Sequence, residues 1–264
     1  MTISDKFLFM QTINVKAKKS LGQNFLQDHN ILRKEVELAD VRGKKVLEIG
    51  PGDGRLTRHI LKAKPKKLTA IEKDSELAQK LMQEFSSKIE KGLLEIIEGD
   101  FLKAELPDFD VVIGNIPYYI SSPIIFRLKD YDFEKAILIV QKEFAIKMIE
   151  GAGSSNYGRL SVTSQVFFRV KIMQIVQKEL FSPQPKVDSA MIMLFPTGKN
   201  ISKFQEDVIR WLFSHKNKTL RNALLDSGKL GKEDIEDLGE ILVRKVRTLE
   251  VDEVLEIATK LEKR

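Results

Sequence analysis

The stretch Val46-Leu47-Glu48-Ile49-Gly50-Pro51-Gly52-Asp53-Gly54 constrains the fold more than any other part of the chain. An apolar run breaks there into a glycine turn, and residues 56–60 then carry helical periodicity. Strand, glycine turn and helix in that order open a βα unit. The glycines let the backbone approach a ligand closely, and the new helix points its free N–H groups at a carboxylate or phosphate. Further apolar runs at 68–72, 94–97, 111–113 and 136–140 continue the alternation. The expectation is an α/β chain on an open Rossmann-like sheet, with its ligand at the carboxyl ends of the strands.

Spacing within the turn bears on the ligand. A dinucleotide fingerprint takes glycine at the sixth position, which here is Arg55, whereas G-x-G-x-G after an acidic strand is usual for enzymes that use S-adenosylmethionine (AdoMet). Gly50 and Gly52 are accordingly read as cofactor contacts, and NAD becomes the minority reading. The run at 68–72 ends in Glu72, about where a carboxylate must stand to accept both ribose hydroxyls; the alternative is a solvated charge. The third run leads to Asp100, placed to accept the amino group of the cofactor's adenine.

Downstream, Asp110-Val111-Val112-Ile113-Gly114-Asn115-Ile116-Pro117-Tyr118 brings an amide, a carbonyl and an aromatic ring to one loop. Those groups suit an exocyclic amine such as adenine N6. Its lone pair is shared with the ring, and hydrogen-bond acceptors favour the more pyramidal, nucleophilic nitrogen. The Asn115 side-chain oxygen and the Ile116 carbonyl each accept one N–H, Pro117 stiffens the turn and Tyr118 stacks on the base. Taken alone, Asn and Pro also make an ordinary turn after a strand.

Together these motifs resemble an AdoMet-dependent N6-adenine methyltransferase, and three further segments narrow the likeness. Lys19-Ser20-Leu21-Gly22-Gln23-Asn24-Phe25-Leu26, Phe181-Ser182-Pro183-Gln184-Pro185-Lys186-Val187-Asp188-Ser189 and Lys218-Thr219-Leu220-Arg221-Asn222 resemble signatures of the small-subunit ribosomal RNA adenine dimethyltransferases. The resemblance runs from about residue 17 to the C-terminus. It implies transfer of four methyl groups from AdoMet to two adjacent adenosines in the hairpin loop near the 3′ end of small-subunit rRNA, leaving S-adenosylhomocysteine. It also implies a seven-stranded sheet whose last strand is inserted antiparallel. Carried over by motif, the cofactor contacts fall on Asn24, Leu26, Gly50, Glu72, Asp100 and Asn115. The family loop most often reads Asn-Leu-Pro-Tyr-Asn, where this chain has Ile116 and Tyr119. Ile keeps the backbone acceptor; a second ring at Tyr119 bears on which base fits and how it stacks. Phe181 is the candidate for a second wall of the base pocket, with a hydrophobic plug at a strand end as the alternative.

Rival functions share parts of this pattern. The related macrolide-resistance family methylates large-subunit rRNA with the same cofactor motifs, but the segments at 181–189 and 218–222 favour the small-subunit enzyme. A non-catalytic ribosome-assembly or transcription factor on the same fold is the rival from another class, and the intact Asn115, Pro117 and Tyr118 argue against lost chemistry. Small-molecule methylation leaves the basic N-terminal region without a purpose, and DNA adenine methylation is chemically equivalent.

Charge and composition bound the rest. The formal charge is +6, and residues 1–67 hold 15 Lys and Arg against 7 Asp and Glu. Lys16, Lys18 and Lys19 stand before the cofactor loop and are read as phosphate contacts, the alternative being a solubilising tail. Lys216, Lys218 and Arg221 cluster ahead of an acidic run, spaced to share a helical side, and with Arg159 and Lys186 complete the candidate RNA contacts. The chain has no cysteine, so thiolate metal sites and a cysteine nucleophile are excluded. His29, His59 and His215 lie far apart in sequence without partners at ligand spacing, so no metal is expected. With no secretory or spanning segment in the first residues, a soluble cytoplasmic monomer is expected, its partners being small-subunit rRNA and the pre-assembled subunit.

Further along, residues 157–167 read as a helix, and 168–176 and 187–195 as an antiparallel pair at a sheet edge. A hinge at 196–200 divides a methyltransferase domain, 1–198, from a small helical RNA- or ribosome-binding domain, 199–264. In the latter, Phe204, Val208, Trp211 and Leu212 form an apolar stripe, with Trp211 read as core rather than as an RNA-stacking ring.

Overall fold

The computed structural model of the chain describes residues 17–263. The chain forms two compact units, one taking in residues up to Lys142 together with Lys171–Pro196, the other Glu143–Val170 and the chain from Thr197 onward. The second unit therefore holds residues 143–170, which the sequence reading left in the first. Within that unit the helix Arg159–Phe167 packs on the helices Lys203–Ser214 and Val251–Glu262, so the grouping follows burial rather than chain continuity.

In chain order the strands are β1 Phe25–Leu26, β2 Lys45–Ile49, β3 Lys67–Glu72, β4 Leu94–Glu98, β5 Val111–Asn115, β6 Lys135–Gln141, β7 Phe168–Val176, β8 Phe181–Ser182 and β9 Ser189–Pro196. Seven of them make one sheet in the order β4-β3-β2-β5-β6-β9-β7. Pairing is parallel from β4 through β6, and β9 enters antiparallel to β6, from Gln141 opposite Ser189 to Ala136 opposite Leu194. β9 is thus interior and β7 takes the edge. The central strands are buried on both faces, and apart from Glu48, Thr69 and Glu72 their buried residues are apolar. One cover is the helix His29–Ala39, which packs on β5 and β6 and is capped by Asp28 accepting the Asn30 and Ile31 N–H groups at 2.8 and 2.9 Å.

Strand order reverses between β2 and β5, and such a switch point opens a crevice at the carboxyl ends of the strands. Gly114 lets the two strands meet there, since a Cβ on it would stand 2.5 Å from the Ile49 carbonyl oxygen. A second, two-stranded pairing that the sequence did not disclose joins β1 to β8, with Leu26 opposite Phe181.

The second unit is helical, as expected. Tyr157 is fully buried in it, donating its O–H to the Leu249 carbonyl at 2.9 Å and meeting the Phe213 ring edge-on. Val208 and Leu212 are buried, while Trp211 is half-buried against Phe204 in an edge-to-face pair.

Candidate active site

The crevice at the switch point is lined by the loop at 21–26, the glycine turn after β2, the ends of β3 and β4, the Asn115–Ile120 segment and Phe181. The glycine turn is organised by Glu72 at the end of β3. One carboxylate oxygen accepts the Gly52 N–H at 2.9 Å and the other the Asp74 N–H at 2.8 Å. Burial pushes the Glu72 carboxyl upward, while those N–H groups favour its ionised form. Each oxygen keeps a lone pair for a further donor. Gly52 has φ 58°, and a Cβ on it would meet the Phe25 ring at 2.9 Å, so the glycine serves the packing of Phe25 as well as the turn. Phe25 is a site residue that sequence reading missed; its aromatic character within the quoted loop was the one signal.

Asp100 accepts the Leu102 N–H at 3.0 Å and pairs with Lys73 at 2.9 Å, and the hydrogen bond from Lys73 holds its carboxyl below the usual range. Asn24 donates from its side chain to the Gly22 carbonyl at 3.2 Å, and Leu26 is buried in the core beside Phe181. The loop is fastened through Asp74, which accepts from Lys18 at 2.6 Å and from Gln23 at 3.1 Å.

Asn115 ends β5, and its side-chain oxygen is buried without a hydrogen-bond partner among the described residues. An unpaired buried acceptor costs about 1–3 kcal/mol, and a ligand N–H reaching it would offset that cost. Ile116 is 3 % exposed and its N–H is held by the Ile139 carbonyl at 2.9 Å, which fixes the loop against β6. The Pro117 carbonyl accepts from the Ile120 N–H and the Ser121 hydroxyl, closing the turn Tyr118–Ile120. The Tyr118 phenol lies 2.7 Å from the Ser189 hydroxyl at the start of β9, and burial raises its pKa. Ser189 is fully buried and was not singled out from sequence, because it meets Tyr118 across 71 positions. Phe181 combines its two readings: it is 6 % exposed, belongs to the core, and also lines the crevice.

The family model described as ribosomal RNA adenine dimethylase matches residues 14–263. The chain belongs to this family. Among its relatives, the probable ribosomal RNA small subunit methyltransferase A of Thermococcus sibiricus is 40 % identical over 91 % of this chain and 88 % of its own length. The ribosomal RNA small subunit methyltransferase A of Pelagibacter ubique is also 40 % identical, over 90 % and 94 %. Of solved structures, a dimethyladenosine transferase from Plasmodium falciparum superposes with a TM-score of 0.78 at 30 % identity, covering 90 % of this chain and 98 % of that one. The 23S rRNA methyltransferase ErmE gives 0.65 at 28 % identity, covering 90 % and 99 %. The α/β methyltransferase fold and the family expected from the sequence are thus found.

Methyltransferases of the adenine dimethylase family use AdoMet, and the crevice residues fit it. Glu72 has acceptor capacity to spare at the end of β3, and Asp100 stands just beyond the end of β4 in the lining of the same crevice.

The basic residues proposed for RNA fare differently. Lys16 and the side chain of Lys19 lie outside the described residues. Lys18 pairs with Asp74 and, at 3.5 Å, with Glu76, so it holds the loop. The helix Leu220–Asp226 begins too late for Lys216 and Lys218 to share a helical side with Arg221. Lys216 instead donates to the Ser155 and Tyr157 carbonyls at 3.0 and 2.9 Å, and Lys218 pairs with Asp226 at 2.6 Å. Arg159, Lys186 and Arg221 are exposed. The histidines need a correction: packing of the helices His29–Ala39 and Arg55–Lys62 brings His29 Nδ1 within 3.1 Å of His59 Nε2. Burial lowers the His59 pKa to about 4, so that ring is neutral. Among the described residues no group of three or more His, Cys, Asp or Glu is arranged to hold a metal, and no helix is long and apolar enough to cross a membrane.

Two acids, Glu35 on the helix His29–Ala39 and Glu48 on β2, are fully buried. Glu48 accepts from the Thr57 hydroxyl at 2.8 Å, and burial, opposed by that hydrogen bond and reinforced by Glu72 and Asp53, raises its pKa to about 8. Glu35 is raised well above the carboxylate range by burial and by Glu48. At neutral pH Glu48 carries its proton.

Proposed function

We propose that the chain is an AdoMet-dependent enzyme that dimethylates N6 of two adjacent adenosines in the 3′-terminal hairpin loop of small-subunit rRNA. On this reading it acts as a cytoplasmic monomer on rRNA in the pre-assembled small subunit, and so takes part in small-subunit biogenesis. The observation that carries the reading is the buried Asn115 oxygen, an acceptor without a donor, beside an aromatic ring in a crevice suited to AdoMet.

AdoMet supplies an electrophilic methyl group on a good leaving group. The protein's task is then positioning and desolvation. Asn115 Oδ1 and the Ile116 carbonyl accept the two N6 hydrogens and orient the nitrogen lone pair toward the methyl group. Tyr118 stacks on the extracted base, returning about 1–3 kcal/mol against the few kcal/mol that unstacking costs. Phe181 closes the opposite side. No general base is required, since the proton leaves after methyl transfer. At the second transfer one N–H remains, so the two acceptors cannot both keep their bonds, and the pocket must take a turned, bulkier base.

Nucleoside mass spectrometry of unmethylated small subunits incubated with the protein and AdoMet tests this. N6,N6-dimethyladenosine is expected; methylation confined to another base, or no product, would overturn it.

A further inference from the structure

Tyr119 is 56 % exposed, and among the described residues it is the one aromatic side chain in the set of exposed large apolar groups. It follows Tyr118 in the turn Tyr118–Ile120 and lines the same crevice. A Cβ on Gly22 would stand 3.1 Å from both Cδ1 and Cε1 of the ring, so one ring edge lies close to that glycine. One edge therefore rests on the backbone of the 21–26 loop while much of the ring stays open to water. Keeping a large aromatic surface in water is unfavourable, and a base stacked on the ring removes that surface from water. Lys73, half-exposed, lines the same crevice and adds a cation beside Asp100.

When an adenine is inserted between Asn115 and Tyr118, its neighbouring nucleotides stay outside the crevice, and Tyr119 is the exposed ring of that lining. Resting on the function proposed above, we propose that Tyr119 is a stacking platform for the unpaired nucleobase flanking the adenosine being methylated. Every base presents a π face, so the platform selects an unpaired, stackable neighbour rather than one base identity. For a substrate with two adjacent target adenosines, the platform holds one adenine while its neighbour reacts. The competing use of the ring is to fasten the 21–26 loop through Gly22, which would serve AdoMet instead of RNA.

The test compares wild type with Tyr119→Ala and Tyr119→Phe on unmethylated small subunits, reading KM for the subunit and KM for AdoMet separately. A second arm titrates a synthetic hairpin carrying 2-aminopurine next to the target adenosine and reads quenching of its fluorescence. The expected result is a KM for subunits raised roughly tenfold in Tyr119→Ala and largely restored in Tyr119→Phe. KM for AdoMet should move less than twofold, and quenching should be lost with Ala and kept with Phe. A subunit KM within twofold of wild type, or a rise confined to AdoMet, would overturn the proposal. Wild-type protein that methylates no small subunits would refute the underlying function instead, and quenching unchanged by Tyr119→Ala would then still refute the platform.

Discussion

Asn115→Ala separates activity from stability in a way few active-site substitutions do. The Asn115 oxygen is buried and accepts no hydrogen bond from the described residues, so its removal breaks no bond seen to that oxygen. Relieving an unsatisfied buried acceptor is worth about 1–3 kcal/mol, which offsets the packing lost with the amide. Thermal unfolding is therefore expected at the wild-type temperature or a few degrees above it. Turnover should behave oppositely. A preorganised hydrogen-bonding group in a water-excluded site contributes about 2.7–4 kcal/mol to the transition state, so kcat should fall by about 10²–10³. Affinity for AdoMet, read by calorimetry, should change little, because Glu72 and the glycine turn remain. Single-turnover methyl transfer beside a melting curve is the assay. Turnover within threefold of wild type, or a variant destabilised as far as it is inactivated, would refute the acceptor role.

Glu72→Ala removes the acceptor for both the Gly52 and Asp74 N–H groups, so AdoMet affinity should drop at least tenfold with a stability loss of about 1–3 kcal/mol; unchanged calorimetric affinity would sink the ribose assignment. Tyr118→Ala should be severe and Tyr118→Phe mild. Because the Tyr118 phenol bonds to Ser189, Ser189→Ala and Tyr118→Phe should each cost a similar small factor and not add when combined, whereas full additivity would show that the hydroxyls act separately. Glu48 has a folded-state pKa of about 8, above its ordinary 4.5, so its stabilising contribution is complete below pH 4.5 and is lost as pH rises towards 8. Across that window it contributes a slope of up to about 1.4 kcal/mol per pH unit. Glu48→Gln should flatten the fall in urea midpoint between pH 6 and 9, and an unchanged slope would contradict the buried protonated acid.

What was legible in the sequence was local. The strand at 45–49, its glycine turn and the carboxylates closing the next two strands are consecutive in the chain, and period and turn chemistry expose them directly. The helical C-terminal run was legible for the same reason, whereas the antiparallel insertion of β9 beside β6 came from the family resemblance. What stayed hidden depends on partners far apart in sequence. Ser189 meets Tyr118 over 71 positions, Lys18 meets Asp74 over 56, and Tyr157 meets Leu249 over 92. Lys216 looked like a phosphate contact because a lysine's charge is visible in a sequence, but the backbone carbonyls it serves are not. Glu48 reads as one acid in a strand; only packing shows that Glu35 lies beside it and that neither sees water.

The central claim is that this crevice delivers methyl groups to adenine N6 in one ribosomal location. Its most direct test is transfer of labelled methyl from AdoMet to unmethylated small subunits, with large subunits, naked rRNA and DNA in parallel and the label mapped to the nucleotide. The account predicts label on two adjacent adenosines of the small-subunit 3′ hairpin, four methyl groups per subunit at completion. Label in the large subunit instead, or AdoMet binding with no transfer to any of these, would contradict it.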